Sequence, residues 1–293
     1  MMIRELTAYP TGKAIAPSPI DVDSLVRLKL PPLNGTVARI SELLRDPNIS
    51  SRKLAEAVGY DPILAARLLK MANSSLYARK KATTSIERAI EAIGLKALYD
   101  VVMLGAMADG FAREIGTMVY GRIIWEHSIV VALLSRTISD LLNLRGTEEA
   151  FLCGLLHDIG KILLLKAEPE KFVGLLENKP EAEMLRDEEY VFGLTHAEIG
   201  AYVTHKWQLP DVVCCAIMHH HNPCNATVST VITHIIAVAD LVANINGYGL
   251  RLDEENALFD SRSVSFLNLS SAQISLAWEN IQEPFQEVVK TFA

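Results

Sequence analysis

Aromatic side chains are scarce in this sequence, at 6% of 293 residues, yet half of the chain is hydrophobic. The core must therefore be built from Leu, Ala and Ile, which favours helix over sheet. Long hydrophobic runs are missing too. No stretch of about eighteen apolar residues occurs, which excludes a membrane-spanning helix. The opening MMIRELTAYPTGKAIAPSP lacks an apolar segment of signal-peptide length, so a cytoplasmic location is expected. Positive charge is in deficit: 28 Lys and Arg stand against 35 Asp and Glu, for a net charge of −7. Such a balance argues against a protein that coats nucleic acid, a local basic face apart, and against an anionic membrane as partner. Cysteine is limited to Cys153, Cys214, Cys215 and Cys224, with no CxxC spacing. Two are adjacent in apolar sequence, which fits reduced core thiols; zinc at Cys214 or Cys215 is the weaker alternative.

No convincing strand pattern, short repeat or low-complexity tract is present, so the fold class is all-α. Residues 1 to about 20 are Pro-rich and read as an extended arm. Beyond Pro31 and Pro32, Val37, Ile40, Leu43 and Leu44 share one face of a helix over roughly 34–46. Ser50 or Ser51 caps a short helix ending at Gly59. Asp61-Pro62 starts the next, with a capping Asp before proline at the first helical position. This pair, Ser51 to Lys70, has a second reading as a helix-turn-helix with Arg67 and Lys70 facing DNA. Later helices are expected near 86–93, 95–113, 121–143, 148–158, 211–221 and 228–245, with another capped by Thr195. A last pair spans 270–292, kinked or broken at Pro284. Gly116 to Gly121 marks the boundary between two helical lobes.

One stretch stands out. Leu152 to Lys161 reads LCGLLHDIGK, an apolar helix ending in an imidazole, a carboxylate and an ammonium. A buried His157-Asp158 pair is costly unless a cation or a hydrogen-bond network compensates both groups. Gly160 would let the chain bend so that both side chains reach one ion.

All eight histidines lie between His127 and His234. His127, His157 and the run His219-His220-His221 follow or interrupt apolar helical sequence, and Asp240 is a lone carboxylate inside IIAVADLVAN. Singly, each has a plain structural reading. His127 reads as a core histidine, His196 as a polar first-turn residue, and the triple run as a solvated helix end; His205 and His234 read as surface or structural. Together they are several metal-competent groups on separate apolar helices. Nitrogen and carboxylate donors suit Mn, Fe, Co, Ni or Zn, with Mg at an oxygen-rich position. Such an ion lowers the pKa of bound water and polarises a phosphoryl oxygen. Lys161 would stabilise an anionic substrate or transition state, with Asp158 beside it in the reacting centre.

His127, His157-Asp158 in LLHDIGK and Asp240 in VAD match the order H…HD…D, which resembles the HD superfamily of metal-dependent phosphohydrolases. LPPLNGTVARISELLRDPNISSRKLAEAVGYDPILAARLLKMANSSLY, ERAIEAIG, EYVFGLTHAEIGAYVTHKWQLPDVV and HHHNP look like successive parts of an HDOD domain. This resemblance covers roughly residues 24–225. It implies a compact helical domain of bacterial signalling proteins: an arm over 1–23, lobes over 24–115 and 116–225, and helices over 226–293 that complete the HD-like core. The related HD-GYP domains hydrolyse cyclic di-GMP with a ligand order H…HD…H…HH…D. Carried over, that order implies metal ligation by His127, His157, Asp158, His196, His220, His221 and Asp240, holding one or two divalent ions. His220-His221 is preferred to His219-His220 because the family's pair stands two places before the proline, here Pro223. The HDxGK lysine is Lys161. The glutamate expected after the pair is Asn222, and NPCNAT replaces the GYP sequence, which argues against cyclic di-GMP as the substrate. Family wording thus implies a regulator acting on a signalling partner in trans, with metal or nucleotide as ligand. Ligand retention implies a phosphohydrolase or phosphodiesterase. DNA binding is the third reading.

Overall fold

A computed structural model describes residues 17, 19–27, 39, 40, 42–44, 46, 48–74, 83–114, 118–144, 147–176, 180–207, 209–251, 253 and 256–292. Most of the expected arm over 1–23 and most of the helix over 34–46 lie outside them; the end of the arm is already helical, since a helix starts at Val22. The protein is all-α; no strand occurs among the described residues. In chain order the helices are α1 (Val22–Arg27), α2 (Ser51–Gly59), α3 (Pro62–Ala72), α4 (Ile86–Glu114), α5 (Val119–Leu141) and α6 (Thr147–Leu156). They continue as α7 (Ile159–Ala167), α8 (Pro169–Gly174), α9 (Glu181–Phe192), α10 (His196–Lys206) and α11 (Asp211–His219). After a short 3-10 turn come α12 (Thr230–Ile245), α13 (Asn256–Asp260), α14 (Arg262–Leu267) and α15 (Ser271–Phe292). Among the described residues no helix is long and apolar enough to cross a membrane.

Local chemistry starts and stops these helices where the sequence signals it. The Asp61 carboxylate accepts from the N–H groups of Ile63 and Leu64, satisfying two of the orphan donors at the start of α3. Thr195 and Glu198 form a reciprocal capping box at the start of α10. Gly193 closes α9 at φ 80°. Gly94, at φ 81° and ψ 169°, is a non-helical joint inside α4, so the expected helices on either side of it meet there with no connecting loop. At Pro284 the break, one of the two expected outcomes, does not occur. α15 runs unbroken through the proline. Its buried stripe of Ile274, Ala277, Ile281, Phe285, Val288 and Phe292 holds the helix, each large side chain contributing ~1.5–3 kcal/mol of burial, against a proline cost of about 3 kcal/mol.

α5 is the axis of the molecule. α6, α12 and α15 all pack on it, and α15 also reaches α3 and α4. The α5–α6 contact is very close: a Cβ on Gly154 would stand 2.9 Å from the Val131 carbonyl oxygen and the Ala132 Cα. α10 packs on α7 and α11, and α11 packs on α12 and α6. These arrangements bring the ends of α6, α10 and α11 and the flanks of α5 and α12 to one buried point.

The helix-turn-helix reading loses its cations to this packing. Arg67 Nη1 donates to the Gly105 carbonyl at 3.3 Å, and its guanidinium lies over the Phe292 ring. Lys70 Nζ donates to the Lys290 carbonyl. Both tie α3 to its neighbours within the chain.

Candidate metal centre

The helix carrying the apolar half of LCGLLHDIGK ends at Leu156. His157 and Asp158 form a turn, and α7 starts afresh at Ile159. The turn, rather than a bend at Gly160, aims both side chains inward. Gly160 lies inside α7, where its missing Cβ admits the His196 backbone. His157 and Asp158 are 0% and 1% exposed, so every polar atom there needs a partner.

Five imidazoles share one arrangement. His127 Nδ1 donates to the Tyr248 carbonyl at 2.6 Å, His157 Nδ1 to that of Gly154 at 2.8 Å, and His220 Nδ1 to that of Ile217 at 2.6 Å. His196 Nδ1 donates to Glu188 Oε2 at 2.7 Å, and His221 Nδ1 to Glu181 Oε1 at 2.7 Å. Carbonyls and ionised carboxylates only accept, so each Nδ1 carries a proton and each neutral ring turns an Nε2 lone pair inward. Those nitrogens crowd together. His127 Nε2 is 3.2 Å from His157 Nε2, and His196 Nε2 is 2.8 Å from His221 Nε2. Facing lone pairs repel unless a proton or a cation intervenes.

Asp158 stands between two groups. Its Oδ1 is 3.3 Å from His196 Nε2 and 3.8 Å from His220 Nε2. Its Oδ2 is 3.4 Å from His157 Nε2 and 3.6 Å from His127 Nε2. Asp240 Oδ1 joins the second group, 3.0 Å from His127 Nε2 and 3.8 Å from His157 Nε2. Donors about 2.1 Å from a common ion lie ~3.0–3.4 Å apart at octahedral and tetrahedral angles. The shorter separations here fall in or near that range, and Asp158 Oδ1 and His220 Nε2 are buried with no hydrogen-bond partner among the described residues. The donor set therefore fits divalent ions of the first transition row.

Charges around the cluster prepare it for cations. Burial alone would raise the Asp158 carboxyl, but His157 and Lys161 hold it well below the usual range. Asp240 is likewise opposed by burial and held low by Arg251 and His127. His220 is pushed well down by burial and by the neighbouring imidazoles, which keeps it neutral. Burial also lowers His221, against the pull of Glu181. At His196 burial pulls the value down, but the Glu188 and Asp158 carboxylates together raise it above the ordinary one.

All seven residues expected as ligands meet at this point, and His219 lies outside it. Lys161, expected to face an anionic substrate, is buried with Nζ 2.7 Å from Asp158 Oδ2. His234 is an interior residue, 1% exposed, with Nδ1 2.9 Å from Ser263 Oγ. Cys214 and Cys215 belong to none of the metal-capable clusters among the described residues. The residues that sequence reasoning missed are the outer partners: Glu181, Glu188, Arg251 and Asn244. Arg251 bridges Asp240 Oδ2 at 3.0 Å, Glu181 and Asp253, and it joins His221 in holding Glu181 down to about 2 against burial. Asn244 donates to Asp240 Oδ1 at 2.8 Å. Glu188 left one signal. It falls on the buried stripe of α9 between Met184 and Val191, where a carboxylate needs a partner.

Glu188→Gln tests this outer layer. The amide cannot hold the His196 tautomer as an ionised carboxylate does, so metal affinity should fall ~10–100-fold, read by competition with a metal chelator. Unchanged affinity would remove Glu188 from the site.

The fold and the buried cluster define an all-helical protein with a His/Asp centre at the junction of its helices. A family model for the HDOD domain matches residues 30–223, and the chain belongs to that family. An HDOD protein of unknown function from Geobacter sulfurreducens superposes with a TM-score of 0.74 at 24% identity, over 93% of this chain and 98% of that one. A phosphohydrolase candidate from Shewanella amazonensis gives 0.71 at 20% identity, over 93% and 98%. Both likenesses show the fold. Ribonuclease Y of Rubrobacter xylanophilus is 27% identical over 202 residues, 68% of this chain and 34% of that protein. An uncharacterized protein of Treponema pallidum is 24% identical over 196 residues, 66% and 38%. The chain thus spans about a third of the length of the curated relatives it matches.

Proposed function

We propose that this chain is a metal-dependent phosphohydrolase whose cluster holds two divalent ions. The convergence of five Nε2 lone pairs on two carboxylates carries the reading. His196, His220, His221 and Asp158 Oδ1 would hold one ion; His127, His157, Asp240 and Asp158 Oδ2 the other. Ions there supply Lewis acidity toward a phosphoryl oxygen and toward water. The chain's own residues do the positioning. Lys161 keeps Asp158 ionised and oriented between the two groups. Glu181 and Glu188 fix two rings by their Nδ1 protons, and backbone carbonyls fix the other three. Arg251 and Asn244 hold Asp240.

The experiment is turnover of bis(p-nitrophenyl) phosphate and of a short RNA by the metal-loaded chain, the RNA because the ribonuclease Y relatives act on it. Hydrolysis that needs metal and is lost in His157→Ala supports the reading. Hydrolysis that survives His157→Ala belongs to a contaminant, and absence of turnover on both substrates removes the enzymatic claim.

Arg251 favours a second reading, a signalling module that binds metal and works through a protein partner. Its guanidinium already covers the outer oxygen of Asp240 and closes one side of the cluster. A full complement of metal with no turnover is the result that selects it.

A further inference from the structure

A cavity of about 250 Å³ opens beside the cluster, with His220, His221 and Asp240 on one wall. The lining also includes the start of α14, which carries Arg262. A ligand in the cavity thus has both the ion-holding side chains and this arginine in its lining.

The charges in the lining are already partnered, with one exception. Glu181 binds His221 and Arg251, and Asp240 binds Arg251, His127 and Asn244. Arg251 itself makes three ion pairs. Arg262 is exposed and makes no ion pair or hydrogen bond among the described residues. Its place is nevertheless fixed. Ser261 Oγ accepts from the Val264 N–H and caps α14. Ser263, buried, is bound to His234, whose ring is stacked by Phe266 at 3.9 Å. Arg262 stands between these two anchors. The rest of the lining includes Ala237, Leu241 and Ala257, an apolar surface suited to an organic group.

We propose that Arg262 is a substrate-binding residue and that this cavity takes one nucleotide-sized phosphate ester. A guanidinium offers a planar fork of donors that matches phosphate oxygens. The volume lies just below the ~300–1,000 Å³ usual for ligand pockets, which fits one nucleotide and leaves no room for two. The apolar surface receives the organic part, and the phosphate lies between Arg262 and the edge formed by His220, His221 and Asp240. The proposal rests on the phosphohydrolase reading only for the fate of that phosphate; the binding itself stands on the cavity and the arginine.

The test is calorimetric titration of the full chain, its metal content measured, with 5′-adenosine monophosphate as the probe. Arg262→Ala should weaken binding at least about tenfold, as for loss of a charge-assisted contact. Arg262→Lys should recover part of it. Adenosine, which lacks the phosphate, should bind wild type and Arg262→Ala alike, and a cyclic dinucleotide should bind no tighter than the monophosphate. Arg262 is exposed, so the variants should keep the wild-type helical circular dichroism and metal content. Equal affinity of wild type and Arg262→Ala for the monophosphate overturns the proposal, as does no binding to wild type at millimolar concentration. A chain that binds the probe through Arg262 but turns over no substrate keeps this site and loses the hydrolase reading.

Discussion

Asp158→Asn should empty the cluster of both ions and abolish turnover. Both donor groups converge on this carboxylate, one on each oxygen. An amide presents one oxygen and one N–H₂ group, so one group loses its donor and gains a proton facing its imidazoles. The loss in affinity should exceed the ~10–100-fold of an outer-layer change. Stability should fall as well. Lys161 is 6% exposed and reaches Asp158, and removing one partner of a buried pair costs ~3–5 kcal/mol. The double variant Asp158→Asn/Lys161→Met separates the effects: stability should return, metal should not. Titration gives a further sign. The Asp158 carboxyl is held below its ordinary value. Its stabilising contribution is therefore complete above the unfolded value near ~3.9 and is lost as the pH falls through the lower folded-state value. Asp158→Asn should remove that part of the acid sensitivity, measured as the pH dependence of the urea midpoint in metal-free protein.

Gly160→Ala should be nearly as damaging although it adds one methyl group. The new Cβ would stand 1.9 Å from the His196 carbonyl oxygen and 2.7 Å from its carbon. Those atoms are backbone at the start of α10 and cannot swing away, so α7 and α10 must separate. The cost should reach or exceed the ~1–3 kcal/mol of ordinary overpacking. His196 would move with its backbone, so its ion should be lost before the fold is. Gly94→Ala is the control. A Cβ there would meet no described atom within 4 Å, and the backbone conformation, φ 81° and ψ 169°, opposes the change; in this glycine-only region it should cost ~1–3 kcal/mol and leave metal binding intact. Thermal melts with and without metal distinguish the two. Equal melting temperatures for Gly160→Ala and wild type would show that α7 and α10 are free to part at little cost.

Much of the fold was legible because its signals are local. Asp61-Pro62 and Thr195 with Glu198 state where helices begin, and the apolar stripe from Ile274 to Phe292 states which face is buried. Pro284 does not break the helix, because that local rule yields to a long apolar stripe fixed by packing. The cluster was legible as residue types, since His157, Asp158 and Asp240 are polar groups set in apolar sequence. Its outer layer was not. Glu181 and Glu188 sit in EAEMLRDEEY, where most acidic neighbours face solvent. Arg251 lies in a loop, and nothing in its surroundings marks the two carboxylates it bridges. Lys161 lies beside the cluster; that its ammonium pairs with Asp158 depends on a turn at residues 157 and 158 that composition does not reveal.

Everything proposed for the cluster depends on the inward Nε2 lone pairs and the Asp158 carboxylate holding metal. Elemental analysis of the full chain, purified without chelators from metal-replete cells, tests it most directly. Wild type should carry a first-row divalent metal approaching two ions per chain, retained through dialysis and absent from Asp158→Asn. Wild-type protein that carries no metal above background, and takes up none on reconstitution, would contradict it.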